Sequence, residues 1–186
     1  LSSDPISYVH WFDDIVTGIV GTNFEQYLVG ELVPINGQYS EYITKINLAN
    51  ELCKQNEMAN LYLNSIICES LDEETKSLMQ TECLASENFE MIKSSFVPRL
   101  NAFYLLDLES KFDFDPNNVL VFLHNLDSLT KLYYHIFRES ADSDLKIQWI
   151  MNALNKNYLL NKPIIDQIQI DWGKISKDPF YIRTIL

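Results

Sequence analysis

Apolar side chains recur at three- and four-residue steps along most of the chain, and this spacing predicts helices. Tyr8, Trp11, Phe12, Ile15, Val16, Ile19 and Val20 form one broad stripe, opened by Asp4 in a capping position and Pro5 in the first turn. Gly18 and Gly21 weaken its end. Phe24 to Val29 reads as a short helical turn before Gly30. Glu31 to Pro34 reads as extended, because Pro34 disfavours helical geometry in the residue before it, and Asn36-Gly37 is a turn signal. At most a short β-like arm sits there.

The helical register resumes at Ser40 with Ile43, Ile46, Leu52 and Cys53, then Met58, Leu61, Tyr62, Ser65 and Ile66. Gln55-Asn56-Glu57 is either a break or the solvated face of one long helix. Ser70-Leu71-Asp72-Glu73 has the form of a capping box, Ser at the cap and Glu three later, for a helix reaching about Thr81. Another begins at Ser86 with Phe89, Ile92, Phe96 and Val97. Pro98 either kinks it or starts the next, which holds Leu100, Phe103, Tyr104 and Leu106.

Asp115-Pro116 repeats the cap-then-proline pattern. Val119, Phe122, Leu126, Leu129, Tyr133 and Ile136 follow at alternating steps of three and four, a coiled-coil-like seam. Leu120, Leu123, Leu132 and Phe137 lie outside that seam, so this helix is predicted to face neighbours on more than one side. Ser143 or Asp142 caps a helix with Leu145, Ile147, Trp149, Ile150, Ala153 and Leu154. Pro163 opens a further one, and Asp178-Pro179 a last one. The predicted fold class is all-α.

Composition narrows the picture. At 186 residues, 47% of them apolar and 22% charged, the chain can form one domain or two small ones, and disorder by composition is excluded. Five Gly and six Pro are too few for an all-β chain of tight turns. No apolar run approaches the ~18–20 residues of a membrane span, and no leader opens the sequence. Leu1 stands first rather than Met, so we read the chain as part of a longer protein.

The formal charge is −12, unevenly spread: residues 1–99 carry 15 acids and 5 bases, residues 100–186 carry 11 and 9. Phosphate backbones and anionic membranes both reward clustered Lys and Arg, so neither is an expected partner of this segment. Cys53, Cys68 and Cys83 are too widely spaced for a zinc site, and His10, His124 and His135 are equally scattered. The cysteines read as reduced, mostly buried thiols of an intracellular, cytoplasmic protein. Asp13-Asp14 and Asp72-Glu73-Glu74 are explained by helix starts and solvated faces. Trp11, Trp149 and Trp172 are expected as core anchors. With no nucleophile elbow, phosphate loop or metal pattern, no catalytic, cofactor-binding or metal residue is predicted, and the expectation is a protein without enzymatic activity.

Several stretches together resemble the capsid region of Gag from copia-type long-terminal-repeat retrotransposons. Asp4-Pro5-Ile6-Ser7-Tyr8-Val9-His10-Trp11 resembles that family's polar lead into a Trp on the first helix. Asn60 through Glu74 is similar to its helix, turn and acidic-capped next helix, Pro116 to Leu132 to its long central helix, and Asp144 through Tyr158 to the segment after that. Leu154-Asn155 stands where Leu-Pro is often found, and the Cys-His zinc knuckle and a basic tail are absent. The resemblance implies a retroviral-capsid-like fold of two helical lobes, here 1–85 and 86–186. The N-terminal lobe would make rings and the C-terminal lobe dimers. It implies self-assembly into a virus-like particle shell, with RNA contacted by a basic region elsewhere in the parent. The alternative is a domesticated, Gag-derived adaptor whose grooves bind a helical peptide.

Overall fold

Asp4 accepts a 3.4 Å hydrogen bond from the N–H of Ile6 and starts α1 (Pro5–Ile19), as the cap-then-proline pattern predicts. The computed structural model describes residues 4–31 and 38–186, all-helical with no strand among the described residues. The turn expected at Asn36-Gly37, and Leu32 to Pro34 before it, lie outside them. Past α1, Gly21 takes a φ of +75° and turns the chain into a 3-10 turn at Glu25–Tyr27. Then come α2 (Tyr39–Gln55) and α3 (Glu57–Glu69), separated by a true break: Asn56 leaves helical geometry, and its side chain caps α3 through Ala59 N–H at 3.1 Å.

Ser70 does not cap the next helix. Its hydroxyl donates to the Ile67 carbonyl at 2.6 Å and accepts from Trp11 Nε1 at 2.7 Å, closing α3 onto α1. The cap falls to Asp72, and α4 (Glu73–Lys76) is a single turn that stops well short of Thr81. α5 (Ala85–Phe96) follows, and Val97–Arg99 forms a 3-10 turn in which Pro98 ends the helix rather than kinking it.

The chain divides into two compact units, Leu1–Leu100 and Asn101–Leu186. The division lies beyond the expected lobe boundary at residues 85 and 86. The reason is α5: it packs on α2 and α3, and Phe89, Ile92 and Phe96 are buried in the core of the first unit. Tyr8 stacks on Phe96 at 5.0 Å and Phe12 on Phe89 at 5.8 Å, so α1 and α5 share one aromatic seam. Each such buried side chain contributes about 1.5–3 kcal/mol. Asparagines stitch the approach to α5. Asn60 accepts from Ala85 N–H, Asn64 accepts from Asn88 Nδ2, and buried Asn88 holds both the N–H and the carbonyl of Gln80.

In the second unit α6 (Ala102–Lys111) is capped by Asn101 and α8 (Ser143–Asn155) by Asp142. Asp115 caps nothing. It accepts from the N–H of Asn117 and the side chain of Asn118, a local turn that delays α7 (Val119–Phe137) past Pro116. The buried line of α7 is Phe122, Leu126, Leu129 and Leu132, so Leu132 takes the place expected for Tyr133. Phe112 stacks on Phe122 at 4.8 Å and Phe114 meets it edge-on at 5.1 Å. α9 (Tyr158–Ile170) begins five residues before Pro163, which sits inside it. The first turn forms on the Asn157 carbonyl, and Asn161 donates to the Leu154 carbonyl at 2.9 Å. A short α10 (Trp172–Ile175), absent from the sequence expectation, and a 3-10 turn at Pro179–Thr184 in place of a last α-helix complete the unit.

Candidate functional site

The chemistry-bearing residues singled out in the sequence stay apart. Among the described residues no three His, Cys, Asp or Glu side chains gather where they could hold a metal ion. His10 lies on α1, while His124 and His135 lie three turns apart on α7, exposed and buried respectively. The cysteines are free thiols. Cys53 alone is buried, and Cys68 and Cys83 are half-exposed, short of the burial expected for them. Asp72 caps α4 and Glu73 pairs with Lys76 at 2.7 Å. Trp11 and Trp149 are core anchors, each with its indole N–H bonded, Trp149 to Glu109 at 2.8 Å. Trp172 is 47% exposed and anchors no core. Among the described residues no helix is long and apolar enough to cross a membrane.

The group that sequence reasoning missed is Lys93, 1% exposed in the first unit. Its Nζ donates to the Val29 carbonyl at 3.0 Å, the Tyr42 hydroxyl at 2.9 Å and Glu90 Oε1 at 2.7 Å, among the rings of Phe12, Phe89 and Tyr42. The Tyr42 hydroxyl donates to the other Glu90 oxygen at 2.8 Å. Burial, then the Glu90 carboxylate, push the Tyr42 pKa upward, so the phenol stays protonated and serves as a donor. A signal existed: Lys93 falls four residues after Phe89 and three before Phe96, on the apolar face of α5, with Glu90 one turn back.

This network pins residues 28–31 beside the end of α1, and a groove of about 740 Å³ opens there. Ile19, Leu28 and Val29 form its buried floor, and Val20 and Leu48 stand exposed on its lips. Gly30 passes so close to α1 that a Cβ there would lie 3.3 Å from Val16 Cγ1. Lys45 of α2 reaches across to Glu31 at 2.5 Å, and that hydrogen bond holds the Lys45 pKa above its ordinary value.

Two further apolar surfaces stand open. On α3, Met58, Leu61 and Tyr62 share one face, with Met58 76% exposed and Phe24 packed on Tyr62 at 5.1 Å. In the second unit Lys156 donates to the carbonyls of Ser110 and Phe112, each at 2.7 Å. Together with the Phe112–Phe122 stack, this gathers the ends of α6 and α8 and the starts of α7 and α9 at one pole. That pole exposes Leu120 (82%), Val121, Tyr158, Leu159 (89%) and Leu160.

Comparison of the chain with family models, with curated proteins and with solved structures gives no match.

Proposed function

We propose that this chain is a capsid segment of the retrotransposon Gag type, a structural protein that self-associates into a closed shell and performs no chemistry of its own. The observation that carries the reading is that each helical unit has its own open apolar surface, Met58, Leu61 and Tyr62 on one and the Leu120–Leu159 pole on the other. One self-complementary surface closes a dimer; two independent surfaces per chain let association continue into larger symmetric assemblies. Five exposed side chains at the pole present roughly 600 Å², at the upper end for a monomer's largest apolar patch and near the ~800 Å² per partner of a standard interface. Charge supports the same division of labour. The second unit holds 11 acids and 9 bases and meets little repulsion from a copy of itself, whereas the first holds 15 and 5.

In this reading the fold is retroviral-capsid-like and the shell forms in the cytoplasm, where three free thiols stay reduced. A formal charge of −12 leaves nucleic acid to a basic polypeptide other than these residues. The test is sedimentation velocity and negative-stain electron microscopy of the whole chain across protein and salt concentration. Oligomers that grow as salt screens the first unit are expected. A strict monomer at high micromolar concentration in every salt condition defeats the proposal.

A further inference from the structure

The groove of the first unit goes beyond the shell reading and does not depend on it. Its volume suits a few side chains of a partner rather than an extended protein face. Floor and lips are apolar, so part of the occupant must be apolar. The frame decides the rest. The groove's own lining carries the carboxylates of Glu25 and Glu31 against the ammonium of Lys45, and the flanking helices α1 and α2 add Asp13, Asp14, Glu41 and Glu51 against Lys54. An acidic peptide or a phosphate-bearing ligand would be repelled, and a cationic one drawn in.

In the lining, Glu31 pairs with Lys45, and both side chains are half-exposed. Such a pair contributes little, so an incoming guanidinium can take Glu31 in bidentate fashion at small cost. No stretch of this chain is densely basic, no two of its 14 Lys and Arg residues being adjacent, so the occupant is sought in another polypeptide. We infer that the groove between the end of α1 and α2 binds a cationic amphipathic segment of another polypeptide, seating its apolar side chains between Val20 and Leu48 and an arginine on Glu31.

The experiment uses the whole chain and a fluorescein-labelled synthetic peptide of alternating Leu and Arg pairs, read by fluorescence anisotropy. A twin with Ser replacing Leu keeps the charge, and a twin with Glu replacing Arg keeps the apolar content. The Leu/Arg peptide is expected to saturate at one per chain, more tightly than either twin. Leu48→Asp and, independently, Val20→Asp are each expected to weaken it about tenfold. Both side chains are more than half exposed, so both variants keep the core, which circular dichroism checks. Glu31→Gln is expected to weaken it several-fold, and Phe103→Asp, an 84% exposed position on α6 of the second unit, to leave it unchanged. Equal affinity for the Ser/Arg twin overturns the inference, as does loss with Phe103→Asp matching that with Leu48→Asp, or no loss with Leu48→Asp and Val20→Asp.

Discussion

Lys93 Nζ sits 3.0 Å from the carbonyl oxygen of Val29, a residue 64 positions earlier in the chain, and both are buried. The bond joins α5 to the stretch that walls the groove. It also fixes a charge inside a core of rings, where the Val29 carbonyl, the Tyr42 hydroxyl, the Glu90 carboxylate and the π-faces of Phe12, Phe89 and Tyr42 compensate for lost water.

Removing that ammonium takes the Lys93 donor from the Val29 carbonyl and the ion-pair partner from Glu90, whose other oxygen still accepts from the Tyr42 hydroxyl. Lys93→Met is expected to destabilise the first unit by about 3 kcal/mol, read from urea unfolding. Adding Glu90→Gln should recover part of the loss, because the stranded carboxylate is then gone. Equal stability of Lys93→Met and the unaltered chain would contradict this account.

The division after Leu100 predicts how fragments behave. Residues 101–186 should express as a helical, soluble unit. Residues 86–186 carry most of α5 without the core that covers Phe89, Ile92 and Phe96, and should aggregate or bind a hydrophobic dye. Size-exclusion chromatography and dye fluorescence separate the two outcomes.

Association and stability should separate at the pole of the second unit. Leu159→Asp changes a side chain that is 89% exposed and is expected to abolish that contact with thermal stability unchanged. Phe122→Ala removes the ring packed between Phe112 and Phe114 and is expected to cost about 3–5 kcal/mol. Sedimentation and calorimetry on both variants check the contrast.

Acid should loosen the turns and caps before the cores. The Thr75 N–H bonded to Asp72, the Asn117 N–H bonded to Asp115 and the Gln167 amide bonded to Asp171 each hold a carboxyl below its ordinary pKa. A lowered folded-state value means that the stabilisation is complete above the unfolded value of about 3.9 and fades as pH falls through the folded values. The midpoint of thermal unfolding should therefore drop as pH is lowered from about 5 towards 2.5. Asp72→Asn keeps a capping oxygen but cannot titrate, and should flatten part of that slope.

Helix existence and most of the core were written in local order, whereas whether Asn56 breaks a helix, and what Pro98 does to the one before it, were left open. Apolar spacing and short polar caps act over one or two turns, and Asp4, Asn101 and Asp142 each have their bonding partner within three residues. Tertiary contacts decided what local order left open. Ser70 lost the capping role to Asp72 because Trp11, 59 residues away, and the Ile67 carbonyl claim its hydroxyl. The unit boundary moved because α5 completes the aromatic seam begun by α1 rather than opening a new core. Lys93 was hidden because its partners Val29 and Tyr42 lie 64 and 51 residues away, and a lone lysine on an apolar face gives no hint of which distant carbonyl will receive it. Spacing along the chain sets where helices form. Which of their polar groups are satisfied, and which apolar ones remain open, is set by neighbours that only the folded chain brings within reach.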